Sequence, residues 1–405
     1  MAKISQFRKK NSDDNRDENT NVVDRHVFKK RIRAHKFRIF SVGMIVAIVA
    51  IVIIFIMWNS YYKKVYSDYE VNSQVDCHMI EGSSVLSYGT QFLTYSADGI
   101  HCTNAKGKDI WSVPFEMQNP MVAVEGDYIA CADLNGRKIY VFNCDGELGE
   151  IKTGAPVKSL DVSGDGVVVV TSEDDEVTPI DVYYYDGSKI ANFRTTMSKS
   201  GYPLAMTLSP NSKLFAVSYL YLDSGSLTTK LAMYNFGDVG KNETDNLVSG
   251  YDFQGEIIPI VDFMDNDTLY AVANDKLIFF EGKERPTNSA SVDIDEEILA
   301  VYGGSSDVGL LFADATGEGK YRLDTYSPKG KLKSSIIFNL EYTDIFYAND
   351  MVVIYNSSSA LVYRTNGTKK YAGDFKEPVA LMIPTKSPVK YTLVTQEAIK
   401  SITLK

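Results

Sequence analysis

Val122-Ala123-Val124-Glu125-Gly126-Asp127-Tyr128-Ile129-Ala130 reads as two short apolar strands joined by a Gly-Asp turn. Alternation at period two suits a strand with one buried face, and the glycine supplies the positive φ that a tight hairpin needs. One such hairpin specifies little, but the pattern recurs. Further copies begin at Val85, Leu160, Met206, Val261, Ala300, Ile345 and Leu381. Eight starts across residues 71–405 give about 42 residues per unit, the period of a four-stranded propeller blade.

The second half of the unit repeats as well. A strand ends in a glycine-bearing turn and another strand follows, with the glycine at Gly107, Gly146, Gly187, Gly330 and Gly367. The final unit, from Val379 onward, has room for only three strands. Residues 71–80 are strand-like, so they are expected to pair with that unit and close the ring, which removes its open edges. The fold class is therefore all-β: a single eight-bladed β-propeller. Seven blades is the alternative, because the unit between Ala205 and Tyr251 is long and irregular.

Ahead of the repeats, residues 39–58 carry no charge. Twenty residues at about 1.5 Å each span roughly the 30 Å hydrocarbon core of a bilayer. Ile39, Phe40, Ile45, Ile51, Phe55 and Trp58 mark this transmembrane helix, with Trp58 at an aromatic belt. Arg25, Lys29, Lys30, Arg31, Arg33, Lys36 and Arg38 precede it with no acidic residue among them. The positive-inside bias then makes the N-terminus cytoplasmic and the propeller extracytoplasmic, in a single-pass protein of the cell membrane. Residues 1–38 carry a net +7 and the remainder −17, within a total of −10. The expected organisation is a largely disordered basic tail over 1–38, the helix over 39–58, a linker over 59–70 and the propeller over 71–405. That linker reaches about 40 Å at most, which keeps the propeller near the membrane.

The turn Ala105-Lys106-Gly107-Lys108-Asp109-Ile110-Trp111 is similar to the tryptophan-docking turn of the quinoprotein-like (PQQ-like) propeller superfamily. Trp111 is the only tryptophan outside the apolar segment, so the superfamily's ring of docking tryptophans is missing. The adjacent cysteine pair of quinone-dependent dehydrogenases is absent too. A basic stub, one anchor and a divergent exported propeller together resemble a membrane-anchored family of Gram-positive bacteria, domain of unknown function 5711. The resemblance implies a fold and a location and supplies no activity.

Candidate chemistry is sparse. Of four histidines, His26 and His35 lie on the tail, leaving His78 and His101, too few for a three-histidine metal site. Cys77, Cys102, Cys131 and Cys144 all follow the anchor and allow three pairings, one of which could fasten the ring closure; buried thiols are the alternative. The acidic groups 173–176 and 293–297 and the turn 161–166 fit Asx and glycine turns between strands better than calcium loops. No phosphate-binding, nucleophile-elbow or zinc-protease motif occurs, and no cofactor signature is present. The basic run abuts the apolar segment without interleaved stacking aromatics, which favours a lipid bilayer over nucleic acid. The leading expectation is a binding or scaffold module for an envelope protein or cell-wall polymer. The rival is a glycan-active hydrolase or lyase using carboxylates in the central funnel, favoured if two or more converge there with Arg or His.

Overall fold

From Glu18 to Lys63 the chain has no proline and one glycine, so nothing interrupts a helix. The structure, a computed structural model, describes residues 18–77, 79, 82–196, 200–223 and 225–405, without the side chains of 18–26 and 61. It shows helix α1 over Glu18–Lys63. The helix is longer than the expected 39–58 and takes up the basic stretch, of which only residues 1–17 fall outside the described part. Val27–Ser60 is long and apolar enough to cross a membrane, and none of its most apolar window is buried. The chain divides into two units, Met1–Lys64 and Val65–Lys405.

The second unit is an eight-bladed propeller of four-stranded antiparallel sheets. Blades 1 to 7 are consecutive meanders over residues 84–114, 120–152, 157–196, 202–254, 260–293, 300–338 and 344–374. Blade 8 takes its three inner strands from residues 379–404 and its outer strand from Tyr69–Asp76. Tyr69 lies opposite Leu404 and Asp76 opposite Ala398. The expected closure is therefore present, with a strand that begins two residues earlier than expected and ends at Asp76. Ile80 and His78, the far part of the expected strand, lie outside the described residues.

Packing follows the ring. Among the described residues there are eight buried apolar clusters, one in each gap between neighbouring blades. Each blade buries both faces against its neighbours, which is why second strands such as Val167–Ser172 are apolar with little alternation. Tyrosines contribute to these gaps, as when Tyr88 Oη donates to Asp127 O of the next blade at 2.6 Å.

The repeated third turn has a defined job. Gly107 has φ +74°, and a Cβ there would lie 2.6 Å from Val75 Cγ1 on the outer strand of blade 8. The turn thus needs both left-handed backbone and close approach to the preceding blade. The other four glycines occupy the same place: Gly146 against Trp111, Gly187 against Glu150, Gly330 against Val292 and Gly367 against Ser334. Trp111 also stacks on Phe142 of blade 2, with centroids 5.2 Å apart and planes 7° from parallel. For blade 8 the chain leading into its outer strand substitutes for the turn, with Tyr66 bridging to Tyr371 of blade 7.

Candidate functional site

Blade 4 breaks the pattern. Its middle strands, Leu214–Asp223 and Ser226–Asn235, have ten residues each, whereas second strands elsewhere have five or six. The run Leu214-Phe215-Ala216-Val217-Ser218-Tyr219-Leu220-Tyr221-Leu222 is rich in β-formers, so nothing ends the ladder early. The hairpin projects beyond its neighbours, and Leu222 and Leu227, paired across it, are 69% and 44% exposed. The third turn is replaced by residues 236–246, which contain two 3-10 turns.

That replacement opens a groove. Where a glycine turn would settle on the outer strand of blade 3, Lys189–Thr196, a cavity of about 800 Å³ lies between that strand and blade 4. Phe193, Tyr219, Tyr221 and Tyr234 line it, with Arg194, Lys230 and Asp245 among its polar groups. The Phe193 and Tyr234 rings are 4.6 Å apart, and the Tyr219 and Tyr234 hydroxyls lie within 3.3 Å. Burial raises both of those phenols, so they remain protonated hydrogen-bonding groups. The far side of blade 4 is held by polar contacts. Glu284 of blade 5 pairs with Lys213 and accepts from Asn235 Nδ2 at 3.0 Å, and Arg285 pairs with Glu243.

The inner strands carry a second feature. Asp161 of blade 3 accepts from Val162 N at 2.8 Å and from Leu208 N of blade 4 at 3.0 Å. Asp262 of blade 5 accepts from Thr207 Oγ1 of blade 4 at 3.1 Å and from Phe263 N at 2.8 Å. Burial pushes Asp161 up to about 7 against the pull of those amides, with repulsion from Asp262 and Glu125 adding to it. Burial also raises Asp262, and burial and then Asp262 raise Glu125. Asp262 is nonetheless exposed to solvent on the inner strand of blade 5. The main influences on these three carboxyls are burial, neighbouring amide and hydroxyl donors, and one another.

Residues 62–404 match the family described as "Family of unknown function (DUF5711)". The chain belongs to that family. Among solved structures, the DUF5711 propeller is similar to Sqt1 from Chaetomium thermophilum, with TM-score 0.52, 11% identity, and coverage of 83% of this chain and 100% of that one. It is also similar to BamB from Moraxella catarrhalis, with TM-score 0.49, 10% identity, and the same coverages of 83% and 100%. At these identities the likeness is one of fold. Among curated proteins no sequence matches the chain.

The DUF5711 propeller scatters the residues singled out from sequence. All four cysteines are free. Cys102 and Cys131 are buried in the gap between blades 1 and 2, where burial pushes each thiol up to about 12. Cys102 Sγ donates to Gln91 Oε1 at 2.9 Å. Cys77 is half-buried beyond the closing strand, its thiol raised by burial and then by Asp109, while Cys144 is exposed on a turn. His101 sits on the third strand of blade 1, away from the inner strands.

The acidic groups are structural neighbours of cations. Glu173 pairs with Lys158, and Glu296 takes two hydrogen bonds from Arg322. No group of three or more His, Cys, Asp or Glu among the described residues is placed to hold a metal ion. On α1, Lys29, Lys30, Arg31, Arg33, Lys36 and Arg38 are exposed, as are Ile39, Phe40, Ile45, Ile51, Phe55 and Trp58; the Arg25 side chain lies outside the described part. The groove was not foreseen. Its one trace in the sequence was the excess length of the fourth unit.

Proposed function

We propose that this chain is a membrane-anchored binding module that holds an extended segment of an envelope protein in the groove between blades 3 and 4. The observation that carries this reading is the groove itself, an aromatic floor beside a free sheet edge. Lys189–Thr196 is the outermost strand of blade 3. A segment laid along it would add a strand, its main chain bonding the edge and its side chains meeting Phe193, Tyr221 and Tyr234. A free main-chain edge suits an extended peptide better than a glycan strand, whose backbone has no continuous amide ladder to match. In this reading residues 39–58 span the bilayer, Trp58 lies at the outer interface, and the cations from Arg25 to Arg38 keep the N-terminus cytoplasmic. The glycan-active rival would draw on Asp161, Asp262 and Glu125; the aromatic floor and the outer strand beside it favour the binding reading.

The test is photo-crosslinking of the full chain in native membranes, with the reactive residue in place of Asn192, Tyr221 or, as a control outside the groove, Lys152. One discrete protein adduct is expected at positions 192 and 221 and none at 152. The same adducts at all three positions, or none at 192 and 221, overturn the reading.

A further inference from the structure

The chain joins the ring on a definite face. Tyr69 lies opposite Leu404, at the end of blade 8 that also bears the turn between its first two strands. In every blade that face carries the first and third turns. Its lysines are unevenly distributed around the ring. In blade 6 the third turn holds Lys329 and Lys331, and in blade 7 it is followed by Lys369. The first turn of blade 8 holds Lys386 and leads into Lys390, and the third turn of blade 1 holds Lys106 and Lys108. All seven are exposed, and none is in an ion pair.

The acidic groups of the same arc are few. Asp307 is engaged through both oxygens by Lys333, Asp68 pairs with Lys376, Asp109 accepts from Thr103, and Asp350 stands alone on its turn. Around the rest of this face the balance reverses. The turns of blades 2 to 5 carry Asp127, Asp145, Asp165, Asp186, Asp265 and Asp267. Their cations are mostly taken: Lys189 by Asp181, Lys213 by Glu284, Lys241 by Asp238 and Arg285 by Glu243, with Lys283 the exception. Apart from Lys283, the unpaired lysines of this face thus form one arc over blades 6, 7, 8 and 1, which includes the blade through which the chain joins the ring.

We propose that this lysine arc rests the propeller on an anionic lipid surface. The inference builds on the membrane-anchor reading above, and it commits to lipid because the cations cluster where the chain arrives from the apolar helix. Exposed lysines near an anionic bilayer are attracted over roughly a Debye length, about 8 Å at physiological salt. The acidic turns of blades 2 to 5 are repelled by the same surface, so the ring would tilt and present the groove of blades 3 and 4 away from the lipid.

The full chain is reconstituted in vesicles of phosphatidylcholine alone or mixed with phosphatidylglycerol. A membrane-impermeant amine-acylating reagent then labels outward-facing propellers, and mass spectrometry reads each lysine. The expected result is several-fold slower labelling of Lys106, Lys329, Lys331, Lys369 and Lys386 in the anionic vesicles only. Lys138, Lys152 and Lys283 should not change. The protection should disappear in molar salt, where the Debye length is about 3 Å. Equal labelling in both lipids, in protein that survives an alkaline wash of the vesicles, overturns the lysine arc and leaves the anchor intact. Release by the wash overturns the anchor reading itself.

Discussion

The gap between blades 1 and 2 and the gap between blades 3 and 4 solve one problem in opposite ways. In the first, the Gly146 turn lies on Trp111, which stacks on Phe142, and the seam is shut. In the second, residues 236–246 replace the turn, and Phe193 on the equivalent outer strand is left facing a cavity with Tyr234 beneath it. Both floors are aromatic. The difference lies in the turn, so a propeller gains a rim groove by losing one small closing element while its apolar gap cluster stays intact.

The largest effect is expected where the open gap is braced. Asn235 is fully buried; its Oδ1 accepts from Gly237 N at 2.7 Å, and its Nδ2 donates to Glu284 O at 2.9 Å. Asn235→Ala removes the brace of the inserted connection and should cost about 3 kcal/mol, read from urea unfolding. A loss no greater than that of a surface alanine would mean that the groove wall stands without it.

The closed gaps can be tested by glycine substitution. Gly107→Ala meets both the left-handed backbone and Val75, and should cost about 2 kcal/mol. Gly317 has φ +79° with nothing near its missing Cβ, so Gly317→Ala should cost only about 1 kcal/mol. Equal costs would show that the turn's conformation, and not its seating on the preceding blade, sets the requirement.

The smallest effect concerns Asp161 on the inner strand of blade 3. Asp161 is raised to about 7, above its value of about 3.9 in an unfolded chain. A carboxyl raised on folding favours the folded state fully at pH below about 4, and that contribution is lost as the pH climbs through about 7. Melting temperature measured from pH 4 to 8 should therefore fall less in Asp161→Asn than in the parent chain. Parallel curves would remove Asp161 from the account.

The ring was legible because its signals are local and repeated. Hairpins such as the one at Val122 recur about every 42 residues, five of the units carry a glycine in their third turn, and each signal obeys a backbone rule that any reader of the chain can apply. The three-stranded last unit even announced its missing partner. The groove was not legible, since it arises from what blade 4 fails to press against blade 3, and a failure of contact has no residue pattern. The setting of Asp161 was not legible for a related reason. In sequence it opens a turn rich in Asp and Gly, but its environment is set by Leu208 and Asp262, on blades 4 and 5. The basic stretch, expected to be disordered, is helical from Glu18, because an apolar helix with no breaker ahead of it can propagate upstream.

The closing strand also imposes an order of events. Tyr69–Asp76 is made first among the propeller's strands, and its partner Ala398–Leu404 last, roughly 320 residues later. At about 5–20 residues per second, the first strand waits roughly 15–65 s for the strand it pairs with. Through that interval it is a bare edge, and its composition suits the wait: Glu70, Asn72, Ser73, Gln74 and Asp76 leave it too polar to recruit a stray strand. The ring therefore shuts in a single late step, and a ribosome that stops a few residues short of Leu404 leaves seven finished blades and no propeller.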